Sequence, residues 1–332
     1  MKIANHDLSE RIFIVAEIGN NHEGNFETAC KMVEAAAAAG VDAVKFQTFK
    51  TRLFTSNADP ARFERLSKFE LTQEQFGKLA DLAKARGVMF FSTPLDLESA
   101  KFLAPIVPVF KIASGDNNFW PLIEFVSGSG KPVIISTGMT DLAQVKRTAD
   151  FAKSKGATGK LALLHCVAAY PAPATEVNLR VIPALAAATD CVIGWSDHTL
   201  TPDATFAAAA IGARIIEKHF TLDKNFSAFR DHQLSADPAE MKAIVEGVRR
   251  IETLLGTPVK QIQASEQGTV QPARRSIAAA HDLTKGHRLV AADLMWVRPA
   301  IGLPPGEERR VLEHTINRDI KTGEAITQKD LD

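Results

Sequence analysis

The 332-residue sequence has little cysteine, no surplus of either charge and no long apolar run, and each shortage narrows what the chain can be. The three cysteines, Cys30, Cys166 and Cys191, are odd in number and lack metal-ligand spacing. They read as buried thiols of a reducing cytoplasm. Lys plus Arg and Asp plus Glu both number 39, so there is no overall basic excess to attract nucleic acid or an anionic membrane. An anionic substrate must therefore be caught by a local cluster. No apolar stretch is long enough to span a bilayer, and Met1-Lys2-Ile3-Ala4-Asn5-His6-Asp7 has no apolar secretory core. The expectation is a cytoplasmic protein with neither nucleic acid nor membrane as partner.

What is there is an alternation of short β-rich runs with Ala-rich amphipathic runs. Strands are expected at 12–16, 41–46, 88–91, 109–112, 132–135, 161–164, 191–194 and 214–217. Between them lie helical patterns, such as 28–39 ended by Gly40. Another opens at Thr72-Gln73-Glu74-Gln75, which has capping-box spacing, and stops near Gly87. Thr201-Pro202 reads as an N-cap with proline at the first helical position. The last helix starts at Asp237-Pro238, carries Met241, Ile244, Val245, Val248, Ile251 and Leu255 on one face, and ends at Gly256. Eight βα units with continuously apolar strands predict a parallel sheet covered by helices, and eight closes a (β/α)8 TIM barrel. The open doubly wound alternative predicts a glycine-rich phosphate loop after one strand, and the sequence has none.

The barrel is expected over 1–257 and a polar, glutamine-bearing linker over 258–272. A small β-rich module over 273–332 follows. In it Asp282-Leu283-Thr284-Lys285-Gly286, Leu289 and Asp293-Leu294 recur as Asp319-Ile320-Lys321-Thr322-Gly323, Ile326 and Asp330-Leu331. Each copy reads as strand, glycine turn, strand.

Barrel enzymes work at the C-terminal face, and polar residues follow nearly every expected strand here. Lys45 and Lys111 supply two fixed cations, Ser114 and Ser136 supply hydroxyls, and Gly115 and Gly138 allow close backbone approach. That combination suits a phosphate or phosphoenol group. His198 and His219 follow adjacent strands, so their imidazoles can meet over the barrel mouth and share a divalent first-row metal. Glu17 can add a carboxylate there, and Asp231 and His232 lie in the loop after the eighth strand within reach of a polar substrate.

Seven segments together resemble the N-acetylneuraminate (sialic acid) synthase family. They are Ala16-Glu17-Ile18-Gly19-Asn20-Asn21-His22-Glu23-Gly24, Val44-Lys45-Phe46-Gln47, Lys111-Ile112-Ala113-Ser114-Gly115, Ser136-Thr137-Gly138-Met139, Leu164-His165-Cys166 with Tyr170-Pro171, Trp195-Ser196-Asp197-His198-Thr199, and Glu217-Lys218-His219-Phe220. They run in order along nearly the whole chain. The terminal module resembles that family's antifreeze-like, or SAF, domain of β-clip form.

The resemblance implies a synthase that joins phosphoenolpyruvate to an amino-sugar aldehyde. The acceptor would be an N-acyl hexosamine such as N-acetylmannosamine, and the products a nine-carbon 2-keto-3-deoxy sugar acid and phosphate. By the same resemblance His198 and His219 hold Mn2+ or Mg2+. Lys45, Lys111, Ser114, Ser136 and Ser196 surround phosphoenolpyruvate, and Glu17, Gln47, Tyr170, Glu217 and Asp231 lie near the metal and the acceptor. Arg298 is lent to a partner's barrel in a domain-swapped homodimer. Glu17, Asp116 and Glu217 are the expected catalytic carboxyls. The chain departs from the family at Asp116, where the sialic acid enzymes have Glu, and at Ala168, where they have Asn. The alternatives are a legionaminic- or pseudaminic-type synthase, a barrel enzyme acting on phosphorylated aldehydes, and a non-catalytic carbohydrate-binding homologue. The phosphorylated-aldehyde reading needs a second cationic cluster, which the sequence does not offer.

Overall fold

A computed structural model describes all 332 residues, which divide into two compact units, Met1–Gly256 and Thr257–Asp332. The first unit is the expected barrel. Its strands are β1 (Phe13–Gly19), β2 (Ala43–Thr48), β3 (Met89–Pro94), β4 (Phe110–Ile112), β5 (Val133–Ser136), β6 (Leu161–Cys166), β7 (Val192–Asp197) and β8 (Ile215–His219). They form one parallel sheet in the order β3-β2-β1-β8-β7-β6-β5-β4. β3 and β4 lie side by side and close the ring without a strand ladder. A short ribbon, Lys2–Ile3 paired with His6–Asp7, covers the opposite end. There Ile3 and Leu8 are buried, and Arg214 Nε donates to the Leu8 carbonyl at 2.5 Å.

Seven of the eight strands run one to three residues further toward their C-termini than apolarity predicts, and β4 ends at Ile112 as expected. Glu17, Gln47, Thr93, Ser136, Ser196 and His219 are therefore inside strands rather than after them, beside Lys45 and Glu217, which the expected strands already contained. Ladder hydrogen bonds belong to the backbone, so pairing continues beneath polar side chains wherever the neighbouring strand is present. The rim residues are thereby held by sheet rather than by loop.

Helix caps follow local chemistry. Thr72 and Gln75 form a capping box at Gln73–Ala85, and Asp237 and Glu240 form another at Pro238–Leu255. One expected cap is corrected. The helix after β7 spans Asp203–Ala210, Pro202 precedes it, and the Thr201 hydroxyl donates to Asp203 Oδ2 at 2.8 Å instead of receiving a backbone N–H. Two helices that the periodicity did not predict, Thr51–Phe54 and Pro60–Phe69, fill the connection after β2.

The second unit has its own core of Ile277, Leu283, Leu289, Ile316, Ile320 and Ile326 among others. The stretch read as a linker contains a short helix, Gln267–Ala273. β9 (Ser276–Ala279) and β10 (Leu294–Val297) pair antiparallel. The internal repeat is realised as single β-bridges around glycine turns, not full strands. Leu283 bridges Ile320, Arg288 bridges Thr315 and Ala278 bridges Ala325. The copies cap each other, since Asp319 Oδ1 accepts from the Lys285 N–H at 2.7 Å and Asp282 Oδ1 from the Thr322 N–H at 2.9 Å.

Candidate active site

Alternation along each strand sends every second side chain to the barrel interior. On β1, β2 and β8 this brings Glu17, Lys45, Gln47, Glu217 and His219 together, joined by Lys111 from β4, Ser136 from β5 and Ser196 from β7. With Ser114, Tyr170 and His198 they line a cavity of about 190 Å3 at the C-terminal mouth. A wider concavity of about 1120 Å3 opens at the other end, lined by strand starts such as Phe13, Asp42 and Met89. The buried polar side chains named above are absent from its lining, so the smaller cavity is the site.

Its centre is a network of buried charges. Lys45 Nζ is 2.6 Å from Glu17 Oε2 and 3.5 Å from Glu217 Oε2, and it donates to Thr93 Oγ1 at 3.2 Å. Lys111 Nζ donates to Ser136 Oγ at 2.6 Å and lies 3.6 Å from Glu217 Oε1. Glu217 Oε1 also accepts from Ser196 Oγ at 3.0 Å. Gln47 links Glu17 to Asn20, at 3.3 and 2.7 Å. Burial lifts the Glu17 carboxyl to about 7 against the attraction of Lys45. Burial also acts on Glu217, but Lys111 and Lys45 outweigh it and hold that carboxyl below its ordinary value. Burial lowers Lys111, partly countered by Glu217. Two lysines and two carboxylates thus stay in one desolvated space by mutual pairing.

The imidazoles meet as expected. The His198 and His219 rings are 5.3 Å apart, and the ring of Tyr170, the chain's single tyrosine, lies 4.1 Å from His198. His198 Nδ1 bonds to the Val167 carbonyl at 2.8 Å, which leaves Nε2 free. His219 Nδ1 is buried with no hydrogen-bond partner. Burial lowers both rings below their ordinary pKa, His219 further because His198 is beside it, so both are neutral donors at pH 7. An orphaned buried nitrogen beside a second imidazole fits a divalent cation. No third His, Cys, Asp or Glu completes the cluster, so a cation held here would take its other ligands from water or substrate.

Some expected residues lie outside this cavity. Asp116 is on a 3-10 turn after β4, half-buried, its carboxyl lifted by burial to about 6 against the pull of Lys111. Asp231 starts a short helix, Asp231–Leu234, and is also raised by burial. His232 is corrected. It is fully buried, with Nδ1 2.7 Å from Thr221 Oγ1 and Nε2 3.1 Å from Glu23 Oε1, and it braces the loop instead of facing a substrate. Arg298 belongs to the second unit, where it is exposed just after β10.

Two residues at the site, Arg230 and Cys166, were given no role there by the sequence. Arg230 stacks on Tyr170 with its guanidinium 4.6 Å from the ring centroid. Cys166 lines the cavity with Sγ 3.8 Å from His198 Nδ1; it is the one buried thiol of the three expected, since Cys30 and Cys191 are half-buried. Ala168, where the resemblance expects Asn, also lines the wall. A period-two reading of β6 would have turned Leu164 and Cys166 to the same face, but Arg230 carries no comparable signal.

Comparison with known proteins agrees with this architecture. The NeuB family matches residues 32–260 and the SAF domain matches residues 274–332. An uncharacterized protein of Methanocaldococcus jannaschii is 41% identical over 94% of this chain and 91% of its own. The N,N'-diacetyllegionaminic acid synthase of Campylobacter jejuni is 35% identical over 96% of this chain and all of its own. Among solved structures, the N-acetylneuraminic acid (sialic acid) synthetase of Leptospira borgpetersenii, in complex with citrate, superimposes with a TM-score of 0.76. It is 32% identical and the match covers 81% of this chain and 94% of that one. No helix of the chain is long and apolar enough to cross a membrane.

Proposed function

From the chain's membership of the NeuB family of sugar-acid synthases, we propose that it condenses phosphoenolpyruvate with an N-acyl hexosamine aldehyde, in the cytoplasm, to give a nine-carbon 2-keto-3-deoxy sugar acid and phosphate. The observation that carries this reading is the pair of buried lysines, Lys45 and Lys111, flanking Glu217 in the cavity that also holds the two facing imidazoles.

In this reading Lys45, Lys111, Ser114, Ser136 and Ser196 bind the phosphoenolpyruvate anion, whose charge replaces carboxylate partners of the lysines. His198 and His219 hold Mn2+ or Mg2+, which supplies Lewis-acid polarisation of the acceptor carbonyl when bound. Gln47, Tyr170 and Asp231 orient the open-chain sugar. The enol methylene then attacks the aldehyde carbon. Water adds to the oxocarbenium carbon that results, and Glu17 takes the proton of that water. The aldehyde oxygen becomes a hydroxyl by taking a proton from Asp116. Loss of phosphate by C–O cleavage, with the remaining hydroxyl proton of the intermediate leaving on the phosphate, gives the 2-keto acid, while Glu217 stays ionised between the two lysines. Fixing both substrates in attack geometry accounts for roughly 7–11 kcal/mol of the barrier. On the resemblance, Arg298 of a partner subunit binds the acyl group, which makes the working enzyme a homodimer.

The acceptor is the finer question. The 35% identity to a diacetyllegionaminic acid synthase across its full length supports including diacetamido sugars beside N-acetylmannosamine. Phosphate release from phosphoenolpyruvate, measured with Mn2+ and a panel of mono- and diacylated hexosamines, tests the proposal. Release with one N-acyl sugar and none without it is expected. Release with phosphorylated aldehydes alone would replace the reading with the rival barrel chemistry.

A further inference from the structure

Behind the cavity lies a buried ion pair that the proposed chemistry does not use. Asp197 and Lys218 are register partners on β7 and β8, and the next pair along, Ser196 and Glu217, faces the cavity. Alternation therefore turns Asp197 and Lys218 to the outer side of the sheet. Both are buried, and Lys218 Nζ is 3.5 Å from Asp197 Oδ1. Asp197 Oδ1 also accepts from the Thr199 N–H and hydroxyl, each at 2.7 Å, and Asp197 Oδ2 accepts from Thr205 Oγ1 at 2.6 Å. Lys218 Nζ donates to the Thr199 carbonyl. Thr205 stands on the helix Asp203–Ala210, so the network ties the sheet to its outer layer.

Each member of this pair directly precedes one of the facing imidazoles: Asp197 before His198, and Lys218 before His219. A buried ion pair is a poor device for stability, because desolvating two charges cancels much of their attraction. It does fix geometry, since each charge is costly to leave unpaired. Here it sets the spacing of two strands at the point where their next residues must share one ion. The Asp197–Thr199 bonds add a second constraint by closing the turn that carries His198.

We infer that Asp197 and Lys218 are positioning residues, anchored by Thr205, that hold His198 and His219 at one spacing for a shared divalent cation. This rests on the reading of those histidines as metal ligands. The bland alternative is a purely structural tie, in which the pair affects folding but not the ion.

Mn2+ binding to the full chain, read by electron paramagnetic resonance, separates the possibilities. The chains compared are wild type, His219→Ala, Asp197→Asn, Lys218→Met, Thr205→Val and Thr205→Ser, each with a thermal melt. His219→Ala is expected to abolish the bound signal. Asp197→Asn and Lys218→Met should weaken Mn2+ about 10- to 100-fold, with kcat recovering at saturating Mn2+. Thr205→Val, which keeps the ion pair and serves if the charge variants do not fold, should weaken it about tenfold, and Thr205→Ser should restore it. If His219→Ala binds Mn2+ like wild type, the ligand assignment falls and the inference with it. If His219→Ala loses Mn2+ while Thr205→Val and the folded charge variants bind normally, the histidines stand and the positioning role is overturned.

Discussion

Lys45 Nζ stands 2.6 Å from Glu17 Oε2, and the two residues are register partners on neighbouring strands of the barrel. The burial of this pair has a direct consequence for pH. Burial lifts the Glu17 carboxyl to about 7, against the attraction of Lys45. Its ionised form, the one able to take a proton from water, therefore accumulates as pH rises through about 7. We predict that kcat/KM climbs across that range, that Glu17→Gln removes the limb, and that the rate falls roughly 10²- to 10⁴-fold. A pH–rate series on both proteins checks this. An unchanged limb in the variant would assign the ionisation to another group.

Lys111 is held by Ser136 and Glu217, at 2.6 and 3.6 Å. Replacing it with Met keeps the length of the side chain but removes the cation. A hydrogen bond to a charged group contributes about 1.5–3 kcal/mol, or roughly 10- to 100-fold in binding. The KM for phosphoenolpyruvate should rise by that factor in Lys111→Met, while the KM for the sugar changes little. Initial-rate kinetics with each substrate varied in turn give the answer, and equal rises in both would refute the assignment.

The barrel and most of its rim were legible because two periodicities coincide. Apolar runs mark strands, and in a parallel barrel the polar residue that ends each run reaches the catalytic face. Glu17, Lys45, Lys111, His198 and His219 were identifiable on that ground alone. The outward pair Asp197 and Lys218 is polar at the same rim, and only the strict alternation Glu217-Lys218-His219 distinguishes it from the inward set. Arg230 was not legible, because its contact with Tyr170 joins the loop after β6 to the loop after β8, 60 residues further along the chain. His232 was misread for a related reason: a polar residue in a rim loop looks the same whether it faces substrate or a buried partner such as Thr221. The helix at Pro60–Phe69 was missed because its face is largely polar, with Phe69 its one buried residue.

Gly194 on β7 makes a stability prediction. A Cβ added there would lie 2.5 Å from the Ile215 carbonyl oxygen and 2.5 Å from Leu164 Cδ2. The first neighbour is backbone of β8 and cannot rotate away. Gly194→Ala should cost about 1–3 kcal/mol, in the range of overpacked cores. By contrast, in Gly247→Ala the three atoms nearest the new methyl all belong to the Phe206 ring, the first 2.3 Å away, and that side chain is able to move. Denaturant unfolding of both variants checks the order, with Gly194→Ala the less stable.

In the second unit the carboxylate of Asp293 is bonded to His281 Nε2 at 3.0 Å, His287 Nε2 at 2.8 Å and the Val290 N–H at 2.8 Å. Burial raises its pKa, but the Val290 N–H and the two imidazoles outweigh that and hold it below the usual carboxylate range. A depressed folded pKa means that the stabilisation is present above the unfolded value, near 3.9, and is lost as pH falls through the folded one. Asp293→Asn should therefore lower Tm at pH 7 and differ progressively less from wild type as the pH drops below about 4. Thermal melts across pH 2–7, on the order of one per pH unit, follow this convergence.

In the proposed condensation the phosphoenol carbon–oxygen bond breaks. Phosphoenolpyruvate carrying 18O in its bridging C–O–P oxygen, incubated with the protein, Mn2+ and the accepted N-acyl hexosamine, reports that bond by mass spectrometry. Carbon–oxygen cleavage should place 18O in the released phosphate and leave the nine-carbon acid unlabelled. Unlabelled phosphate with 18O retained in the organic product would contradict it.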